Sequence, residues 1–138
     1  MAASDNVIRA GLTPKLRDVP NLVAGLTYNA ADPARHMVRP KPSPFSQTTT
    51  KSTLYDPPIP EFSVLRVSLS SQAEEVHAPV PGPSIVVVTG GRGTASWGEE
   101  SLSISEGEVF FVGAGTGVRL IAQDKETDLV LYRAYVTV

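Results

Sequence analysis

The sequence predicts a mainly β protein, a β-sandwich or barrel with one short helix near the N-terminus. Residues 62–69 alternate apolar and polar side chains, as expected of an antiparallel strand with one buried face. Further short apolar runs follow, separated by Gly-rich or charged turns. Seven or eight short strands in such a series are typical of a sandwich or barrel.

The predicted strands cover residues 62–69, 85–89, 94–97, 102–104, 109–112, 118–121 and 129–136. The run 85–89 is continuously apolar, which is typical of an inner strand. It is followed by Gly90-Gly91-Arg92-Gly93 and then by the run 94–97. Two short strands about a glycine turn predict a hairpin, and the loop lacks the Lys-Ser/Thr ending of a phosphate-binding loop.

The helix is predicted over residues 18–27. Its apolar residues recur at i, i+3, i+4 and i+7 and so share one face: Val19, Leu22, Val23 and Leu26. Asp18 is a suitable N-cap, and Pro20 falls in the first turn, where a missing N–H costs little. We expect the apolar stripe to face a core.

Residues 29–60 are rich in Pro, Ser and Thr, which predicts little regular structure. We expect residues 43–53 to form an exposed loop or connector and residues 55–60 to be extended. A small basic patch lies within this region: Arg35, His36, Arg39 and Lys41. A solvated loop explains the patch better than a sugar-phosphate contact does, because isolated surface charges are common.

Composition limits the possible functions. The chain has 138 residues, a formal net charge of -2 and no cysteine. Its charge gives no basic footprint for nucleic acid, and the lack of cysteine excludes disulfides and thiolate zinc sites. No apolar run approaches the roughly 18 residues of a membrane span, and no basic-then-apolar leader begins the chain. We therefore expect a cytoplasmic protein that binds neither membrane nor nucleic acid.

The first fifteen residues, MAASDNVIRAGLTPK, concentrate polar chemistry in one short segment. The segment contains four polar residues: Asp5, Asn6, Arg9 and Lys15. Gly11 and Pro14 disfavour a regular helix in it. Arg forks onto carboxylate or phosphate oxygens, and Lys adds a mobile point charge. The segment suits an anionic, oxygen-rich ligand, although a solvated chain terminus has the same composition.

This run resembles the second half of the signature of type I mannose-6-phosphate isomerases, which begins earlier with His-Ala-Tyr and then a Gly and a Glu. The rest of the chain is similar to that family's C-terminal region. The resemblance implies the C-terminal part of a zinc-dependent aldose-ketose isomerase. Such an enzyme interconverts mannose 6-phosphate and fructose 6-phosphate and supplies mannose 6-phosphate for GDP-mannose synthesis. We divide the chain into a signature segment (1–17), a helix with its connector (18–60) and a barrel (61–138).

The resemblance also assigns roles to residues. Arg9 matches the family's active-site arginine, Asp5 matches an acid near the sugar, and Lys15 would lie at the rim of the substrate pocket. Proton transfer between C1 and C2 passes through an enediol-like intermediate, so negative charge develops on two oxygens. A fixed arginine beside them stabilises that state more than the ground state.

The family's zinc ligands, a Gln, a Glu and two His residues, all match positions before Met1. The implied partner is therefore a missing N-terminal catalytic half, and we expect the chain alone to be inactive. The alternative is a non-catalytic cupin-like module that is structural or binds sugar. The order of strands resembles the cupin jelly roll, and residues 107–113 resemble its second motif without the metal-binding histidines. Apolar residues, Gly, Arg92 and Ser stand there instead, so we expect a barrel without metal.

Glu74, Glu75 and His77 are the one remaining group that suggests a metal. Alternate strand residues point to opposite faces, so Glu75 and His77 would share a face and Glu74 would not. Two ligands are fewer than a zinc site needs. We expect these residues to lie in a solvated turn.

Overall fold

The computed structural model describes residues 8, 14, 16–48 and 52–136. The chain divides into two units, residues 1–37 and 38–138. In the first unit, the α-helix α1 covers Val19–Ala24, and a single 3₁₀ turn covers Pro33–His36. Asp18 is the N-cap of α1, because its carboxylate accepts a hydrogen bond of 3.2 Å from the backbone N–H of Asn21.

α1 is shorter than the predicted helix, and its apolar stripe is not buried. Val19, Val23 and Leu26 are each at least half exposed, so the expectation of a core-facing stripe is wrong for the described residues. Gly25 follows the last helical residue, which agrees with the low helix propensity of glycine. In the described ranges, no helix has the length and apolar character to cross a membrane.

The second unit holds ten strands among its described residues: β1 Lys41–Pro42, β2 Ser52–Tyr55, β3 Ser63–Leu69, β4 Glu74–His77, β5 Ser84–Gly90, β6 Arg92–Trp97, β7 Glu100–Ser105, β8 Val109–Val112, β9 Val118–Ala122 and β10 Leu129–Tyr135. They form a large sheet of order β1-β2-β3-β10-β5-β8 and a small sheet of order β4-β9-β6-β7. Neighbouring strands pair antiparallel throughout both sheets. The mainly β prediction is confirmed.

Two apolar clusters form the core. Strands of both sheets contribute to the larger cluster, in which alternate residues point away from water: Val67, Leu69, Val86, Val88, Ala95, Ile104, Val112, Val118, Leu120, Ala122, Leu129 and Leu131. A smaller cluster holds Leu54, Leu65, Val80 and Tyr135. Each large apolar side chain buried in this way contributes about 1.5–3 kcal/mol.

The hairpin predicted about the glycine loop does not form. β5 pairs with β10 and β8 in the large sheet, whereas β6 pairs with β7 and β9 in the small sheet. The chain therefore passes from one sheet to the other at Gly91, which adopts φ = +73°. The glycines do mark a special backbone conformation, but sequence alone does not say which strands pair on either side of it.

Two segments expected to be solvated are structured. Residues 43–53 include part of β2, where Ser52 is only 1% exposed. Residues 74–77 form β4 rather than a turn. One edge of β4 pairs with β9, and the chain around Phe45 covers the other through 2.8 Å bonds from Gln47 N to Val76 O and from Ala78 N to Phe45 O. Prolines in the connector hid this pairing from the sequence pattern.

Replacing Gly91 with alanine should destabilise the fold far more than replacing Gly98. Both glycines have positive φ, which costs an L-residue about 1–2 kcal/mol. A Cβ at Gly91 would also collide with the backbone carbonyl of Asp128, whereas a Cβ at Gly98 meets nothing within 4 Å. Urea unfolding should show a loss of about 3 kcal/mol or more for Gly91→Ala and about 1 kcal/mol for Gly98→Ala. Equal losses of unfolding free energy in the two variants would contradict the close approach of Gly91 to Asp128 where the chain passes between the sheets.

Candidate functional site

Arg9, Asp5 and Lys15 lie outside the described residues, so their roles stay a prediction. The basic patch is described, and all four of its side chains, Arg35, His36, Arg39 and Lys41, are exposed. Lys41 Nζ lies 3.8 Å from Asp56 Oδ2 on the surface, a kind of ion pair that contributes little to stability. Exposure of these side chains agrees with the solvated-loop interpretation.

A cluster of buried polar side chains lies between the two sheets. It consists of Ser52, Glu75, His77, Ser84 and Arg133, each at most 3% exposed. These residues come from β2, β4, β5 and β10, so one polar cluster joins four strands. We call it the polar relay. Buried polar groups are costly unless they are hydrogen-bonded, and the relay satisfies most of its own donors and acceptors.

The hydrogen bonds of the polar relay run in one direction. Arginine has no acceptor, so Arg133 Nη1 donates to His77 Nδ1 across 3.4 Å, which is long for a hydrogen bond. The imidazole proton is therefore on Nε2, which donates to Ser52 Oγ at 2.8 Å. Ser52 Oγ in turn donates to Glu75 Oε1 at 2.9 Å. A cation and an anion are thus joined through a neutral imidazole and a hydroxyl.

Both ends of the polar relay have further hydrogen bonds. Thr48 Oγ1 donates to Glu75 Oε2 at 2.9 Å and accepts from the backbone N–H of Val76 at 3.2 Å. Arg133 Nε donates to Ser84 Oγ at 2.9 Å. Arg133 Nη2 is buried and has no partner among the described residues. The carboxylate is fully bonded, and the guanidinium is not.

Electrostatics keep the imidazole neutral. Burial, together with a smaller effect of the charge of Arg133, lowers the pKa of His77 to about 4, against an opposing effect of Glu75. Burial also lowers the pKa of Arg133, but a guanidinium remains charged at neutral pH. The polar relay therefore holds one positive and one negative charge, which compensate each other inside the barrel.

Ser52, His77 and Glu75 have the composition of a hydrolase triad but not its geometry. In a triad the acid holds Nδ1 and the serine donates to Nε2. Here Arg133 bonds Nδ1, the acid bonds the serine, and the imidazole donates to the serine. The hydroxyl is also inaccessible, so the cluster does not supply a nucleophile.

The polar relay does not fit a metal ion. Glu75 Oε1 and His77 Nε2 lie 3.8 Å apart with the Ser52 hydroxyl bonded to both, and a guanidinium lies next to the imidazole. In the described ranges no group of three or more His, Cys, Asp or Glu side chains is placed to hold one. Zinc therefore has no site among these residues, since structural and catalytic zinc need at least three protein ligands.

The sequence prediction for β4 is half right. Glu75 and His77 share the inner face, as predicted. Glu74 points outward, where its carboxylate accepts bonds of 2.8 and 2.6 Å from Arg119, and this pair lowers the pKa of Glu74. The expected solvated turn is wrong. Sequence reasoning also missed Arg133, whose side chain is buried inside the barrel. In the sequence, Arg133 falls at alternate positions with Leu129, Leu131 and Tyr135, and this pattern predicts that all four side chains share the buried face of the strand.

A second candidate is a cleft of about 210 Å³ lined by residues of β6, β7, β8 and β9. Its walls are mainly apolar and include Trp97, Leu102 and Phe110, with the Thr116 hydroxyl at its side. Trp97 and Leu102 are about 40% exposed. Clefts lined mainly by apolar and aromatic side chains are frequent ligand sites, and among the described residues no charged side chain lines this one.

His77 makes the stability of the fold sensitive to acid. Its pKa is about 4 in the folded chain and about 6.5 when unfolded, so the unfolded state binds more protons between these values. Stability is therefore lost as pH falls from 6.5 to 4, by about 3 kcal/mol for this group. In urea titrations at several pH values, His77→Gln should lack this component of the pH dependence. His36→Gln, at an exposed site, should follow the unsubstituted chain.

A double-mutant cycle should show that the two charges of the polar relay depend on each other. Arg133→Met or Glu75→Gln alone leaves a buried charge uncompensated, which costs about 3–5 kcal/mol of unfolding free energy. The double variant removes both charges, so its loss should fall at least 1 kcal/mol short of the sum of the single losses. Additive losses would show that the imidazole and hydroxyl do not couple the charges.

Comparisons with known proteins agree with this architecture. The family model described as "Phosphomannose isomerase type I C-terminal" matches residues 52–99. A mannose-6-phosphate isomerase of Cryptococcus neoformans is 50% identical over 99% of this chain and 30% of its own length. That of Candida albicans is 44% identical over 99% of this chain and 33% of its own length.

Solved structures show the same relationship. The mannose 6-phosphate isomerase of Salmonella typhimurium, bound to its substrate f6p and a zinc atom, superposes with a TM-score of 0.75 and 26% identity. The match covers 100% of this chain and 32% of that one. It confirms the cupin-like jelly-roll prediction. The chain spans about a third of the length of the curated relatives it matches. The chain therefore matches the C-terminal part of type I phosphomannose isomerases.

Proposed function

We propose that this chain acts as the C-terminal part of a zinc-dependent mannose-6-phosphate isomerase, which interconverts mannose 6-phosphate and fructose 6-phosphate in the cytoplasm. One observation carries the proposal: 50% identity over 99% of the chain to a protein named mannose-6-phosphate isomerase. The reaction would supply mannose 6-phosphate for GDP-mannose synthesis.

Arg9 is the residue to which we assign the chemistry. Its guanidinium stays protonated during the proton transfer and offers paired donors to the two oxygens of an enediol-like intermediate. Asp5 would either handle the proton at ring opening or orient Arg9, and Lys15 would contact the substrate at the pocket rim. These roles rest on the signature that the first fifteen residues share with the family.

Zinc would be held by the N-terminal catalytic half, which we propose as the partner of this chain. A bound zinc ion supplies Lewis-acid polarisation of sugar oxygens. The described residues offer it no site, because the barrel interior already contains the compensated charges of Arg133 and Glu75. The barrel would then take no part in catalysis itself, and the chain alone would be inactive.

A chimera tests the proposal. The fusion replaces the matching 30% of the Cryptococcus neoformans enzyme with this chain, starting at Met1. We expect a zinc-loaded chimera to convert mannose 6-phosphate in a coupled assay, and residues 1–138 alone to show no turnover. Arg9→Ala in the chimera should lower kcat by about 10²–10³-fold, because it removes a donor to the developing charge. Zinc content and unfolding temperature should stay unchanged.

Arg17→Ala is the matched control, because Arg17 is an exposed arginine eight positions further along the chain. We expect this variant of the chimera to keep full turnover. Equal activity of the Arg9 and Arg17 variants would remove Arg9 from the reaction. Turnover by residues 1–138 alone, at a rate near that of the intact relative, would overturn the assignment of the zinc site to the N-terminal half.

The alternative is a non-catalytic cupin-like module that binds sugar. The cleft beside Trp97 favours it, since an exposed aromatic ring offers a face on which a sugar ring can stack. A folded, zinc-loaded chimera without turnover would favour this alternative over the isomerase proposal.

A further inference from the structure

The outer face of the large sheet is apolar across three adjacent strands. On β5, Ile85 and Val87 point outward and are 51% and 38% exposed, while Val86 and Val88 point inward and are almost fully buried. Strands that are apolar on both faces usually have both faces covered by protein. Among the described residues, only the inner face of β5 is covered.

The neighbouring strands extend this face. On β8, Phe111 stands opposite Ile85 and Val109 stands opposite Val87. Both are more than 60% exposed. On β10, Tyr132 stands opposite Val87 and is 37% exposed. We call Ile85, Val87, Val109, Phe111 and Tyr132 the apolar face.

The outer face of the small sheet is different. It carries the Glu74–Arg119 ion pair and a series of hydroxyl side chains: Thr94, Ser96, Ser101 and Ser103. Antiparallel sheets that face water show this polar character. Two sheets of the same sandwich therefore present opposite surfaces, and only the small sheet has the surface expected in contact with solvent.

The apolar face is large enough to form the centre of an interface. From the exposed fractions and ordinary side-chain areas, its five residues expose on the order of 500 Å² of largely apolar surface. This lies within the roughly 300–600 Å² of the largest patch on a typical monomer. It would also serve as the apolar centre of a standard interface, which covers about 800 Å² per partner. A cleft lined by Phe62, Pro83 and Ala134 continues it beyond Ile85 and Phe111.

We propose that the apolar face is the surface on which the N-terminal catalytic half of the isomerase packs. This inference rests on the proposed function. The relatives carry about two thirds of their length outside the region that this chain matches, so they contain a partner of sufficient size. Domains of one polypeptide move relative to each other unless their interface is large and hydrophobic, and the apolar face supplies the hydrophobic surface that a fixed arrangement needs.

Cysteine accessibility tests the proposal directly, because the chain has no cysteine of its own. Phe111→Cys reports on the apolar face, and Ser103→Cys, on an exposed outward position of the small sheet, is the matched control. Each variant is made in residues 1–138 and in the chimera. The rate of maleimide labelling at that position is then measured by mass spectrometry. A cysteine at either exposed site should leave the fold intact, which circular dichroism checks.

We expect labelling at position 111 to be at least tenfold slower in the chimera than in residues 1–138, and labelling at position 103 to be equal in both. Equal rates at position 111 would overturn the proposal, as would protection of both positions. If labelling at position 111 in residues 1–138 becomes slower as the protein concentration rises, the face binds a second copy of the chain, and the proposal is wrong. The readout needs no turnover, so a protected but inactive chimera would contradict the proposed reaction while supporting the interface.

Discussion

The closure of the two sheets around Arg133 is the constraint on which the rest of the barrel depends. A guanidinium that is 2% exposed must find an anion and several acceptors, because an unpaired buried charge costs several kcal/mol. Glu75 supplies the negative charge from the small sheet. His77 and Ser52 supply the hydrogen bonds that link this carboxylate to the guanidinium. The small sheet therefore has to approach the large one with β4 in one register, so that its inward residues meet β10 and β2.

The polar relay also explains why the core is divided. Along the inner face of β10, Arg133 lies between Leu131 of the larger apolar cluster and Tyr135 of the smaller one. Apolar packing alone is tolerant of sliding, since one buried valine can replace another. A directed chain of hydrogen bonds does not tolerate sliding. A slip of one residue would turn Arg133 outward and leave Glu75 buried without its cation. The apolar clusters supply most of the stability, and the polar relay selects the register.

The sequence predicted the fold class and most strands, because alternation records which face of each strand is buried. β3, β8 and β10 were predicted almost to the residue. It did not predict β4, whose buried residues are polar and carry no apolar signal, or β2, in which Leu54 is the one buried apolar side chain. It also misjudged the partners of β5, since pairing across a glycine depends on distant strands. The alternation pattern places Arg133 on the apolar face of its strand. Its hydrogen-bond partners lie some 50 or more residues away in sequence, so the pattern could not identify them.

The candidate catalytic residues show a different limit of sequence reasoning. Arg9, Asp5 and Lys15 were recognised through a family signature, whereas charge and spacing alone could not tell that segment from a solvated terminus. The polar groups inside the barrel are already engaged with one another, which independently favours catalytic residues outside the barrel. Its interior charges are compensated, its one histidine is held neutral with both nitrogens bonded, and its serine is shielded from solvent. Within the described part of the barrel, an interior occupied in this way leaves no group free to accept a proton, so the proposed reaction would draw on residues beyond the barrel core.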